Sequence, residues 1–245
     1  MLLTVVSATH LGYVRQMNQD SHFECRTGDQ CLLGVADGMG GHPCGEIASQ
    51  LVSDVFKKES NSIFKSTDMT AGLIAALLNC QKTLFLYTDS HPACRGMGTT
   101  LVCSLIRENT ALFAHIGDSR AYLIHRRRLL FQTRDHTVVR RWIDEGRLAA
   151  RALHFHPYRH VLERVIGGFE RDFPRFDFSP VFRLSPGDSI LLCSDGLYGM
   201  IPESELVAII SQPGLPITEK KDRLLQTALE SGGKDNITFI LAEMG

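Results

Sequence analysis

A single tryptophan, nine prolines and a net charge of −1 leave little that is extreme in this chain of 245 residues. No stretch approaches the ~18 consecutive apolar residues of a membrane-spanning helix, and the best, Ala71 to Leu78, is far too short. The opening sequence, MLLTVVSATHLGYVRQ, has no early basic residue and its apolar stretch breaks at Ser7, so no secretory signal is expected. The seven cysteines (Cys25, Cys31, Cys44, Cys80, Cys94, Cys103 and Cys193) are odd in number and include no C-x-x-C pair. Neither a disulfide framework nor a structural zinc site is expected, and a reduced, cytoplasmic setting follows. No repeat, low-complexity tract or Pro/Gly/Ser linker interrupts the chain, so residues 1–245 read as one domain. Nor does a Ser-His-Asp or Cys-x5-Arg arrangement stand out to supply a nucleophilic side chain.

What is present is ordinary globular composition: 44% hydrophobic and 22% charged residues. A chain of this mass buries roughly 72% of its unfolded surface on folding. The near-zero net charge hides an asymmetry. Between Arg120 and Arg175 stand 13 Lys/Arg against 6 Asp/Glu, a local +7, which leaves 13 basic and 21 acidic groups, or −8, elsewhere. Such a distribution attracts an anionic partner or marks a solvated basic face.

Strand-like segments run from Leu2 to Ala8 and from Cys31 to Ala36. Ile47, Leu51, Val52, Val55 and Phe56 then follow helical spacing, and a second helix begins near Asp68, a suitable N-cap. Strands are expected at Thr99–Ile106, Ala111–Ile116, Ala121–Ile124, Phe176–Leu184 and Ser189–Ser194. Helices are expected near Glu203–Ser211 and Glu219–Glu230, with a last strand at Ile237–Ala242. Asp135 to Arg164 reads as a polar excursion, with Val138, Val139, Trp142 and Ile143 on the buried side of a short helix. The irregular alternation predicts an α+β architecture of largely antiparallel sheets.

Three hydrophobic strands end in aspartate: LLGVAD at Asp37, LFAHIGD at Asp118 and ILLCSD at Asp195. Asp235 immediately precedes the last strand. Carboxylates gathered at neighbouring strand ends repel one another unless a cation sits among them, and Mg²⁺ or Mn²⁺ prefers such oxygen ligands. Asp-Gly is also a common turn dipeptide, and turn chemistry alone accounts for the two present. The weight therefore falls on longer contexts: R-Q-M-N-Q-D (15–20), V-A-D-G-M-G-G-H (35–42), G-M-G-T-T (96–100), H-I-G-D-S-R (115–120), T-R-D-H-T (133–137), L-L-C-S-D-G-L (191–197) and K-D-N-I-T (234–238).

In this order and spacing the seven segments resemble the PP2C-type (PPM) metal-dependent serine/threonine protein phosphatases, in their compact bacterial form, over nearly the whole chain. The resemblance implies two stacked antiparallel sheets flanked by helix pairs, with a two-metal Mn²⁺ or Mg²⁺ site at one end and a flap around residues 135–165. It implies that Asp37 bridges both ions, Gly38 offers its carbonyl, Asp195 and Asp235 complete the second ion, and Asp20 orients water from an outer position. Asp118, with Asp195, matches a third, weaker site, and Arg15 matches the arginine that holds substrate phosphate. On this reading Asp37, Asp195 and Asp235 carry catalysis, in which a metal-activated water attacks a phosphoserine or phosphothreonine monoester. The planar fork of Arg15 suits two phosphate oxygens. The expected partners are phosphoproteins, a bacterial Ser/Thr kinase and its targets, with no nucleic acid and no membrane.

Two positions depart from the pattern. Met39 stands where eukaryotic members carry a histidine after Asp-Gly, so the proton for the leaving alkoxide is assigned first to metal-held water and second to His42. Gln19 stands where many relatives have Glu. His154, His156 and His160 lie in an aromatic, basic setting that suits structural or substrate-facing roles better than a transition-metal site. Arg126, Arg127 and Arg128 lack interleaved aromatics and read as a solvated hairpin end. Two alternatives remain open at this level. One is the same fold acting on a small phosphorylated molecule or a single regulatory protein. The other is a non-catalytic binding module, against which the four intact aspartates argue.

Overall fold

Period-two alternation decides which layer each strand side chain enters. The computed structural model describes residues 3–39, 44–169 and 172–245, so His42, the side chain of His154 and the start of the first predicted strand lie outside the described residues. Strands β1 (Leu3–His10), β2 (Asp20–Thr27) and β3 (Gln30–Asp37) come first, followed by helices α1 (Gly45–Lys65) and α2 (Met69–Ser90). A strand block follows: β4 (Gly98–Thr99), β5 (Leu101–Arg107), β6 (Thr110–Ile116), β7 (Arg120–His125) and β8 (Arg128–Gln132). The excursion holds helix α3 (Val138–Asp144) and returns through β9 (Ile166–Gly167), β10 (Asp177–Phe178) and β11 (Phe182–Arg183). The chain closes with β12 (Asp188–Cys193), α4 (Asp195–Tyr198), α5 (Glu203–Ile210), α6 (Ile217–Glu230) and β13 (Ile237–Met244).

One antiparallel sheet has the order β1-β13-β12-β7-β8 and the other β10-β6-β5-β3-β2, with β11 also on β6. On β3, Leu32 and Ala36 face α1 and α2, while Cys31, Leu33 and Val35 enter the space between the sheets. On β13, Ile240, Ala242 and Met244 fill that same space, and Ile237, Phe239 and Leu241 pack against the α5–α6 side. The result is the expected stack of helices, sheet, sheet and helices, each layer boundary sealed by one set of alternating side chains.

Asp68 caps α2 as predicted, its carboxylate accepting from Thr70 N at 2.8 Å and Ala71 N at 3.3 Å. By length and composition α2 is long and apolar enough to cross a membrane, although polar residues interrupt its apolar run. Its Leu73, Ala76, Leu77, Cys80 and Leu84 are instead part of the core over the second sheet. Three further expectations are corrected. Cys44, at the start of α1, is disulfide-bonded to Cys94 just after α2, whereas the other five cysteines are free. A pair separated by 50 residues has no local signature in the sequence. The single strand expected at Phe176–Leu184 is two short pieces on β6, with Pro180, which has no amide hydrogen to give a ladder, between them. In α3 only Val139 is fully buried, and Trp142 meets His156 edge-on within the excursion. Arg126 and Arg127 do form a hairpin end, at positive φ between β7 and β8.

Candidate metal centre

The aspartates converge because strands of both sheets end on the same side. β2 and β3 pair so that Asp20 sits opposite Asp37. Asp118 occupies the Gly117–Ser119 turn that carries the chain from β6 in one sheet to β7 in the other. Asp195 follows β12 and Asp235 precedes β13, strands that are antiparallel neighbours. Asp37, Gly38, Asp118, Asp195 and Asp235 line one cavity of about 520 Å³ together with Arg15, Gln19 and Met39. From the excursion, His160, Val161 and Leu162 form its other wall.

Backbone contacts fix the carboxylates in place. The Asp37 carbonyl accepts from Thr100 N and Thr99 Oγ1, both at 2.9 Å, while its amide donates to Thr100 Oγ1 at 3.1 Å. Thr100 and Ser119 share a 2.6 Å hydroxyl hydrogen bond, which links the G-M-G-T-T segment to the Asp118 turn. The two Asp-Gly dipeptides are not positive-φ turns: neither Gly38 nor Gly196 has positive φ. Glycine is required there by close approach. A Cβ on Gly38 would lie 2.1 Å from the Gly45 carbonyl oxygen, and one on Gly196 would lie 1.9 Å from that of Asn236.

Arg15 and Asp235 form a two-pronged ion pair, Nε to Oδ1 at 2.8 Å and Nη2 to Oδ2 at 2.7 Å, which raises the Arg15 pKa. Burial, with the neighbouring Asp20, Asp195, Asp118 and Asp235, pushes the Asp37 carboxyl well above the ordinary carboxylate range. Burial, with Asp195 and Asp135, does the same to Asp118. Burial lifts Asp20 to about 7 against an opposing hydrogen bond from Ser194, whose Oγ donates to Asp20 Oδ2 at 2.8 Å. Asp20 Oδ1 is buried with no hydrogen-bonding partner. Repelling carboxylates, an orphaned buried oxygen and a wholly oxygen donor set fit hard divalent cations.

Asn236 is a residue that sequence reasoning passed over inside K-D-N-I-T. Its Oδ1 accepts from Gln19 N at 2.9 Å, and its Nδ2 donates to Leu11 O at 2.9 Å and Met17 O at 3.1 Å. It thereby buckles the loop that carries Arg15. Behind the aspartates, Arg120 grips Asp135 with two bonds of 2.7 and 2.6 Å and lies 3.7 Å over the Tyr198 ring. His160 Nδ1 is 3.6 Å from Asp195 Oδ2, whereas His156 packs against Trp142 and Tyr158. Gln19 Nε2 donates to Glu46 Oε2 at 3.3 Å.

The known proteins to which this chain is similar are phosphatases. The family profile described as protein phosphatase 2C matches residues 10–231. A serine/threonine phosphatase of Listeria monocytogenes is 34% identical over 241 residues, covering 96% of this chain and 93% of its own. The crystal structure of the Mycobacterium tuberculosis serine/threonine phosphatase PstP/Ppp superposes with a TM-score of 0.87 at 35% identity, over 100% of this chain and 99% of the other. The catalytic domain of PstP in complex with two manganese ions gives a TM-score of 0.83 at 34% identity, over 98% and 97% of the two chains.

Proposed function

The chain belongs to the protein phosphatase 2C family and is a metal-dependent serine/threonine protein phosphatase, and on that premise we propose which of its residues carry the reaction. The carrying observation is the convergence of Asp37, Asp118, Asp195 and Asp235, from two sheets, on one cavity beside Arg15. Asp37, the Gly38 carbonyl, Asp195 and Asp235 would hold two divalent cations, with Asp20 outside them and Asp118 with Asp195 at a third position. Such a pair of cations supplies a nucleophilic water at neutral pH and stabilises charge at both ends of an in-line displacement.

The other steps belong to the chain's own groups. Arg15, forked on Asp235, presents the same two donors that suit two oxygens of a phosphoryl group, so substrate competes with Asp235 for the guanidinium. Asp20 Oδ1, unpartnered, is the atom left to accept a hydrogen bond from the attacking water. Met39 offers no proton to the leaving alkoxide. The substrates are phosphoproteins, and a Ser/Thr kinase and its shared targets are the partners we propose, which places the enzyme in signal transduction. We take residues 1–245 as a single phosphatase domain with a flap at about 135–165. A cytoplasmic setting is part of the reading, supported by the five free thiols, to which the Cys44–Cys94 disulfide is the exception. Hydrolysis of p-nitrophenyl phosphate and of phosphothreonine peptides, with Mn²⁺, with Mg²⁺ and after EDTA, tests it. Activity that survives EDTA or Asp37→Asn overturns the assignment.

A further inference from the structure

His136 is almost fully buried, and each of its polar groups is committed. Its amide donates to the Gly117 carbonyl at 2.9 Å, and the Gly117 amide returns a bond of 3.2 Å to its ring Nδ1. Because Nδ1 faces an N–H, it is the acceptor and the ring proton sits on Nε2, which donates to Asp177 Oδ2 at 3.1 Å. The carbonyl of His136 accepts from Glu163 N at 2.9 Å, where the flap returns. One residue later, Thr137 bridges Leu162 and caps α3 through Arg140 N, while Val138 N donates to Val161 O at 2.9 Å. Both feet of the flap and the turn carrying Asp118 therefore meet at one residue, the turn through ring and backbone and the flap's return through the backbone carbonyl.

His115, His136 and Asp177 also have the residue types of a metal site, with candidate ligand atoms within 4.8 Å of one another. The geometry speaks against that use. Nε2 of His115 faces the Arg134 carbonyl at 2.9 Å and so donates, and the Arg164 guanidinium already stands 3.3 Å from Asp177 Oδ1. The rings of His115 and His136 stack at 4.6 Å, and burial lowers the His136 pKa to about 4, which keeps the accepting lone pair in place at neutral pH.

We propose that His136 is a positioning residue that couples the flap to Asp118, so that a cation held at Asp118 and the register of the flap wall over the cavity are set together. The proposal rests on the metal reading of Asp118 above. The Gly117 turn is closely packed against its neighbour: Gly117 has φ +95°, and a Cβ there would lie 2.6 Å from Thr100. A shift of the flap base then reaches Asp118 through the paired bonds at Gly117, and Val161 and Leu162 carry the same shift to the cavity wall.

The test uses the full chain and Mn²⁺ alone, by calorimetric titration and backbone hydrogen exchange. The Mn²⁺ event belonging to Asp118 is the one removed by Asp118→Asn. In the wild type, that event is expected to slow exchange at Val138 and Glu163, the amides that close the flap base. His136→Gln keeps a donor toward Asp177 but no acceptor for Gly117, and it should weaken this event about tenfold and speed exchange across residues 138–162. His136→Asn keeps an acceptor at the Nδ1 position and should hold the affinity within about threefold. Equal losses in both variants would mean that His136 only fills space, which overturns the coupling. So would unchanged exchange at Val138 and Glu163 in the wild type, a readout that needs no variant to fold, or an Asp118→Asn protein that loses no event. Each of these outcomes with other Mn²⁺ binding intact sinks this proposal alone. A wild type that binds no Mn²⁺ sinks the metal centre itself, and this coupling with it.

Discussion

The strand-end aspartates and the arginines of the 135–165 excursion are both dense in charge, and they are built in opposite ways. At the strand ends, acids crowd acids: Asp37 and Asp118 are buried among other carboxylates, and Arg15 is the guanidinium that forks into the cluster. Neutral groups hold the backbone around them, namely Thr99, Thr100 and Asn236. In the flap, three of the arginines arrive already matched. Arg134 pairs with Asp144, Arg141 with Glu145 and Glu163, and Arg147 with Glu145, all on exposed surface. Exposed pairs of this kind contribute little to stability because water and salt screen them, whereas uncompensated buried charge persists only where something else uses it. Charge density alone does not locate a site; unmatched charge does.

The strongest way to break this contrast is to remove the most crowded acid. Asp37→Asn should lower kcat/KM by about a thousandfold or more, since several kcal/mol of transition-state stabilisation depend on the cations it would bridge. Near-normal turnover at saturating Mn²⁺ would show that the crowding has no catalytic purpose. Arg15→Ala should cost about ten- to a hundredfold in kcat/KM, mostly as a raised KM, because the guanidinium grips ground-state and transition-state phosphate alike. A collapse of kcat at constant KM would assign it to the transition state instead.

The same contrast has a pH signature in the metal-free protein. Asp20, Asp37 and Asp118 have folded-state pKa values above their ordinary ones, so from about pH 4 upward these three groups bind more protons in the folded chain than in the unfolded chain. Their contribution is fully present at low pH and is lost as pH rises through the folded values, near 7 for Asp20. In EDTA the Tm should therefore fall by about 5 °C or more between pH 5.5 and 8, given ~2–4 °C per kcal/mol in a chain of this size. Saturating Mn²⁺, which binds the folded state, should remove most of that fall. A metal-free Tm that rises between about pH 7 and 8, above the range where the buried His115 and His136 act in the opposite sense, would mean that the carboxylates are not mutually repelled.

Much of the strand-end region was legible in the sequence. Hydrophobic runs ending in aspartate mark Asp37, Asp118 and Asp195 because a strand of alternating core residues fixes where its last side chain stands. Arg15, Asp20, Gly38 and Asp235 were reached through motif resemblance, and the cavity does bring Arg15, Gly38 and Asp235 together with the other three. What could not be read depends on contacts distant in sequence. Asn236 reaches Gln19 across 217 positions, and Cys44 reaches Cys94 across 50. β2 and β8 went unread because both carry half-exposed polar faces, and in β8 the run of arginines hides a short alternation. His136 looked like one more member of T-R-D-H-T, and only the contacts of its ring with Gly117 and Asp177 give it a distinct task.

The smallest effect separates matched from unmatched charge within the flap itself. The basic excess between Arg120 and Arg175 includes Arg134, Arg140, Arg141, Arg147, Arg151 and Arg159. The ion pairs divide that group. Arg141 and Arg147 are neutralised by Glu145 and Glu163, while Arg151 and Arg159 are exposed with no carboxylate partner among the described residues. Replacing Arg141 and Arg147 with Gln removes two positive charges but releases Glu145, and kcat/KM for an acidic phosphopeptide should change by less than about twofold. Replacing Arg151 and Arg159 should lower it by about three- to fivefold at low salt, with a flatter dependence on ionic strength, because unpaired charge acts over about a Debye length. Hydrolysis of p-nitrophenyl phosphate should be nearly unchanged by either pair, since neither belongs to the aspartate cluster. Equal effects of the two pairs on the peptide would mean that total charge governs encounter and that local pairing is irrelevant. A larger effect of the Arg141 and Arg147 pair would mean that those ion pairs hold the flap in position, as structure and not as charge.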